Sequence, residues 1–191
     1  MSDAVTRPAA NRTMAAARTV PTVIAGAVLM TLAAKVQIPF WPVPMTLHTL
    51  AVMAFAVAFG PRVAVSIFLA YLAAGAAGLP VFSGSPERGV GLAYLAGPTG
   101  GYLAGFLAAS WLVGVLARGR GAIGRLGAML AGLALVYAAG MAWLAAFVPA
   151  GQLLAVGVAP FLFGDLVKIG IVAAAGAVLS SLLARLRDMR R

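Results

Sequence analysis

The feature that most limits what this chain can fold into is a series of apolar runs separated by short basic segments. A helix needs roughly 20 mostly apolar residues to cross the hydrocarbon core of a bilayer. Runs near that length fall at residues 20–38, 46–59, 63–78, 102–117, 126–148 and from 154 or 158 to 183. Of the 191 residues, 63% are hydrophobic and 9% are charged, so the apolar stock fills about six spans. A soluble fold of this size has no interior large enough to hide so much apolar surface. The expected fold is all-α: a polytopic membrane bundle of six transmembrane helices. Residues 1–19 are expected as an N-terminal tail, 20–184 as the membrane domain and 185–191 as a basic C-terminal tail.

The basic residues give this bundle a direction. With the N-terminus inside, eleven arginines fall on inner segments, among them Arg62, Arg118, Arg120 and Arg125, and only Lys35 and Arg88 fall outside. That asymmetry is the positive-inside pattern, and it places both termini in the cytoplasm of a cell whose cytoplasmic membrane holds the protein. It also requires an even number of spans. The formal charge of +10 is compatible with nucleic-acid binding. The arginines, however, stand between apolar runs rather than on one basic face, which argues against that class.

Two connectors are unusual. Residues 36–45 hold Pro39, Pro42 and Pro44, which lack backbone N–H groups and exclude a helix, so an extended connector is expected. Residues 79–101 are rich in glycine and proline yet carry Val81, Phe82, Leu92, Tyr94 and Leu95. A long loop with that apolar content is expected to be structured, folding back over the helices between spans three and four.

Candidate site residues are few. Asp165 and Lys168 share one helix face at spacing i,i+3 inside an apolar span. Each costs about 2.5–3.5 kcal/mol to insert, and such residues face the bundle interior or a wet cavity. They form either an internal ion pair that only neutralises itself or a polar pair that binds a ligand, and the second reading is preferred. Arg88, beside Glu87, is either a solvated surface residue or a lid cation for a carboxylate. Tyr94 and Tyr102 are interface-belt residues or stacking surfaces. Trp41 is a belt aromatic or a pocket wall. His48 is satisfied locally or contacts a ligand. Lys35 reads as an end residue reaching for the interface.

Other chemistry is poorly provided for. There is no cysteine and one histidine, so no metal-site spacing and no thiolate nucleophile exists within the chain. Ser83 with His48 lacks a nucleophile-elbow motif, so an enzyme is not expected. No cofactor motif is present, and without a P-loop any ATP-driven work falls to a partner.

Four stretches together resemble the BioY family, the substrate-binding components of energy-coupling-factor biotin transporters. They are PVPMTLHTL at 42–50, YLAAGAAGLPVF at 71–82, GPTGGYLAGF at 97–106 and GDLVK at 164–168. Their order and spacing carry the resemblance over roughly residues 39–183. It implies a six-helix bundle that binds biotin on the outer side, with Asp165 and Lys168 lining the site and the two unusual connectors covering it. Phe161, Phe163 and Tyr102 are then expected to pack the rings, and Arg88 or Lys168 to meet the carboxylate. Glutamine is common in the family where His48 stands. The implied partners are a transmembrane coupling subunit and ATPase subunits, with lipid around the bundle. The alternatives are a subunit for another vitamin and a small intramembrane enzyme.

Overall fold

The computed structural model describes residues 7–38 and 42–188. Helix α1 (Arg7–Lys35) already begins inside the segment assigned to the tail, and Pro21 lies within it. It leads into a two-residue strand, β1 (Gln37–Ile38), paired antiparallel with β2 (Met45–Thr46) in the register Gln37↔Thr46. The proline-bearing connector is thus extended, and closed at its base by a small ribbon. Trp41 lies outside the described residues.

Helix α2 (His48–Ala76) is interrupted at Gly60, whose φ of 75° and ψ of 179° are non-helical. Glycine has no Cβ to penalise that conformation, and Pro61 starts the next helical turn without needing an N–H partner. The chain reverses there. His48 Nε2 and Tyr71 Oη are 2.9 Å apart although 23 residues separate them. An uninterrupted helix would hold them about 34 Å apart. The limbs 48–59 and 61–76 are therefore antiparallel neighbours. Gly114 is in close contact with the turn, where an added Cβ would lie 2.5 Å from the Pro61 nitrogen.

An irregular segment then leads to α3 (Gly91–Ala96), α4 (Gly100–Leu116) and α5 (Ala122–Leu144). A single 3-10 turn (Ala150–Gln152) precedes α6 (Leu153–Gly157) and α7 (Ala159–Asp188). Helix α4 lies against α2 and α5, α1 packs on α2, and α7 closes the bundle against α2 and α5. Small residues set the spacing: Gly105 backs onto Val136, Gly132 onto Val113 and Gly140 onto the Tyr102 ring.

The surface has the character of a membrane protein. Val20, Ile24, Val28 and Leu32 form an exposed stripe at every fourth position of α1. Trp111 on α4 and Phe163 and Ile171 on α7 are also more than half exposed. Apolar side chains therefore face outward as well as inward, as a bundle in lipid requires. By length and composition, three helical stretches can cross a bilayer: His48–Ala76, Ala122–Leu144 and Ala150–Val178. Thr19–Lys35 and Gly100–Leu116 are shorter apolar helices.

Candidate functional site

Two covers meet at the end of the bundle away from Gly60. The first is the ribbon connector. Lys168 Nζ donates to the Thr46 carbonyl oxygen at 2.6 Å, which seats β2 on α7. Gly164 makes room for the same strand, since a Cβ there would lie 3.2 Å from Met45 Sδ. The second cover is the segment after α2. Phe82 is fully buried, stacks on Tyr94 with centroids 4.6 Å apart, and meets Tyr71 edge-on. It occupies the place of a side chain at Gly75, where an added Cβ would sit 2.0 Å from Phe82 Cζ.

The covers are tied together. Lys35 Nζ donates to the Ser85 carbonyl at 2.7 Å and contacts Ser85 Oγ at 3.2 Å. Ser83 Oγ donates to Gln37 Oε1. Arg88 Nη1 donates to the Pro42 carbonyl at 3.2 Å. Tyr94 Oη donates to the Ser83 carbonyl at 2.8 Å, and burial pushes its pKa up, so the donor keeps its proton. One segment is thus held to the end of α1, to β1 and to the proline connector.

Beneath the covers lies a cavity of about 40 Å³, walled by Pro44 and Thr46 of the connector, His48 and Thr49 of α2, and Ser83. Thr99 just before α4, Tyr102 and Phe106 on α4, Tyr137 on α5, and Phe161 and Asp165 on α7 also line it. Larger hollows also occur among the described residues, such as an outer groove of about 510 Å³ and one of about 150 Å³ at the other end of the bundle. The groove is lined by apolar side chains apart from an indole, whereas polar groups from four helices and both covers converge on the small cavity. Convergence of a few placed polar groups on an apolar concavity is what a binding site requires.

Asp165 dominates its chemistry. Oδ1 accepts from Lys168 Nζ at 2.8 Å, and Oδ2 accepts from the Tyr137 hydroxyl at 2.8 Å. An ionised carboxylate has about four lone-pair sites, so acceptor capacity remains on a group that faces the cavity. Lys168 is buried behind it, engaged by Asp165 and Thr46, and is not part of the wall. His48 is held at both ring nitrogens, with Thr46 Oγ1 2.9 Å from Nδ1 and Tyr71 Oη 2.9 Å from Nε2. Either neutral tautomer satisfies that chain by turning the two hydroxyls. Its ring also stacks on Phe106 at 5.6 Å. Tyr102 donates to the Gly157 carbonyl at 2.7 Å, across the break between α6 and α7. No buried side-chain nitrogen or oxygen among the described residues lacks a partner.

Among the residues singled out from the sequence, Asp165, Tyr102 and His48 come together at the wall and Lys168 stands directly behind. Arg88 and Tyr94 belong to the cover. Phe161 lines the cavity, but Phe163 is 80% exposed and faces outward, which corrects its expected place against the rings. Two residues along a helix is a rotation of about 200°, so both cannot face the same hollow. Lys35 binds the second cover rather than reaching for the interface. Gly100 and Gly101 give space to the Leu95 carbonyl and to Trp143, whose Nε1 donates to the Gly97 carbonyl at 2.9 Å. Tyr137 was not singled out. Its sequence signal is a lone hydroxyl midway along an apolar helix.

Comparison with known proteins places this architecture. The sequence pattern of the BioY family matches residues 6–185. The chain is 36% identical over 140 residues to the probable biotin transporter BioY of Pyrococcus horikoshii, covering 73% of this chain and 82% of that protein. It is 35% identical over 147 residues to the biotin transporter BioY of Thermotoga maritima, covering 76% and 85%. The crystal structure of the S-component for biotin from an ECF-type ABC transporter superposes with a TM-score of 0.76 at 24% identity, over 93% of this chain and 95% of that one.

Proposed function

The chain belongs to the BioY family, and from that membership we propose that it is the biotin-capturing membrane subunit of an ATP-driven importer. The observation that carries the reading is the Asp165 carboxylate, buried, held by Lys168 and Tyr137, and turned toward a cavity with acceptor capacity to spare. Biotin offers two ureido N–H donors, one carbonyl acceptor, an apolar sulfur-containing ring and a carboxylate tail. Asp165 accepts from the ureido N–H groups. Phe161 and Phe106 supply apolar faces, and the hydroxyls of Thr49 and Thr99 are donors for the carbonyl. Arg88, held in the cover by the Pro42 carbonyl, is the cation assigned to the tail, and Lys168 stays with Asp165 and Thr46 behind the wall. The relatives are named as transporters, so the intramembrane-enzyme alternative falls away.

The proposed topology has six crossings with both termini cytoplasmic. The two limbs of α2 count separately, and the Gly60 turn and the connector at 117–121 share the arginine-rich inner side. The limb 48–59 is only about 18 Å long, against a hydrocarbon core of about 30 Å. The ribbon connector therefore lies roughly 12 Å below the outer face, where irregular backbone is tolerated because protein surrounds it. Asp165, about 9 Å along α7 from Ala159, sits at a similar depth. A cavity of about 40 Å³ has room for roughly three waters, at about 10–15 Å³ each. Biotin entry therefore requires the covers to part. The chain has no ATP site of its own, so a coupling subunit and ATPase subunits are the proposed partners.

Calorimetric titration of the purified protein tests the site. Wild type binds biotin and Asp165→Asn loses at least about tenfold, the loss of one charge-assisted hydrogen bond. Undiminished affinity in Asp165→Asn removes the site assignment, and tight binding of another vitamin with none of biotin removes the ligand. Because the chain has no cysteine, single cysteines at the exposed positions Glu87 and Gly121 report orientation. An impermeant maleimide added to whole cells labels Glu87→Cys and spares Gly121→Cys, and the reverse pattern inverts the topology.

A further inference from the structure

At the end opposite the covers, a hollow of about 150 Å³ opens between the first limb of α2, the start of α5 and the middle of α7. Its walls are apolar, with Val57, Met129, Val172 and Ala173 among them, and Arg125 brings the only charge among the described residues that line it. The guanidinium reaches across to α7, where a Cβ on Gly176 would lie 3.9 Å from Nη1. Arg125 is half-buried and has no carboxylate partner among the described residues. Asp165 lies eleven positions before Gly176 on α7, about 16 Å away, and Asp188 twelve positions after it, about 18 Å away. A half-buried cation that lines an apolar hollow, with no counter-charge among the described residues, is suited to pair with an anion from outside.

The lining identifies that anion. A soluble ion would gain nothing from Val57, Met129, Val172 and Ala173, whereas an amphiphile uses both kinds of wall. Arginine suits a phosphate group because its planar fork donates two parallel hydrogen bonds. Basic pockets between transmembrane helices on the cytoplasmic side hold anionic headgroups, and Arg118 and Arg120 on the same connector are exposed toward that surface. We infer that the Arg125 hollow is a binding site for the phosphate of an anionic phospholipid, seated between α5 and α7. Its leaflet, the inner one, follows from the orientation proposed above; the site itself does not depend on biotin.

Native mass spectrometry of the detergent-purified full chain tests this with phosphatidylglycerol, phosphatidylcholine and inorganic phosphate. Wild type retains phosphatidylglycerol in preference to phosphatidylcholine. Arg125→Gln lowers that retention about tenfold, as expected for loss of a charge-assisted pair, and Arg118→Gln leaves it unchanged. Ala173→Met fills the hollow from the α7 side while keeping the arginine, and it too loses the lipid; it decides the matter if Arg125→Gln misfolds. Equal retention in Arg125→Gln and Ala173→Met overturns the site. So does an equal loss in Arg118→Gln, which would mean diffuse charge, or inorganic phosphate competing as well as the lipid, which would mean a soluble anion.

Discussion

The two ends of this bundle solve the same problem in opposite ways. At the arginine-bearing end the helices are joined by short turns at 60–62 and 117–121, where Arg62, Arg118 and Arg120 are exposed. Water can satisfy the backbone there, so almost nothing needs to be built. At the other end the connectors are long and partly buried, and their polar atoms are satisfied from inside. Lys35 serves Ser85, Lys168 serves Thr46, Tyr94 serves Ser83 and Trp143 serves Gly97. The contrast shows where the sequence invests specificity. An end that only turns the chain needs glycine and arginine, whereas an end that closes over a polar guest must supply a named partner for each buried group.

That contrast makes graded expectations. The largest effect belongs to Lys168→Ala, which leaves the buried Asp165 carboxylate without its cation and frees the Thr46 carbonyl. A loss of about 3–5 kcal/mol is expected, read as a lowered melting temperature in detergent together with loss of biotin binding. Next is Gly75→Ala, whose methyl displaces Phe82 from its seat. Overpacking costs about 1–3 kcal/mol, and stopped-flow measurements should show faster ligand release because the cover no longer sits. Tyr137→Phe removes one intramolecular hydrogen bond to a buried charged group, worth about 1.5–3 kcal/mol of stability. The melting temperature in detergent should fall, by less than in Lys168→Ala, and calorimetry should find weaker biotin binding. Lys35→Met unties the second cover at one point, and release should quicken about fivefold, the equivalent of roughly 1 kcal/mol. At the opposite end Arg120→Gln should change stability by no more than about 0.5 kcal/mol. An effect there equal to that of Tyr137→Phe would erase the proposed difference between the two ends.

Much of the architecture was legible because lipid is a strict solvent. Apolar runs, the break at Gly60-Pro61 and the proline-rich connector follow from local chemistry, and so does the Asp165–Lys168 pair, since two charges in hydrocarbon must meet. What stayed hidden depends on distance along the chain. Lys35 reaches Ser85 across fifty positions and Lys168 reaches Thr46 across 122, and no local pattern encodes either link. The β1–β2 pairing was masked by the prolines between the strands. Tyr137 escaped notice because a tyrosine in an apolar helix resembles an interface residue until its acceptor, 28 positions away, is known. Phe163 is aromatic and lies beside the site residues in sequence, which is why the resemblance implies a place against the rings. The helical rotation from Phe161 already pointed it out of the bundle.

Lys168 has one further consequence. A single ammonium grips both the acid that faces the hollow and the strand that roofs it. Any guest that draws Asp165 toward itself must therefore slacken or tighten the hold on Thr46, so the lock and its keyhole share one bolt. Arrival and departure are then mechanically joined at one nitrogen atom, without a signal having to travel through the helices.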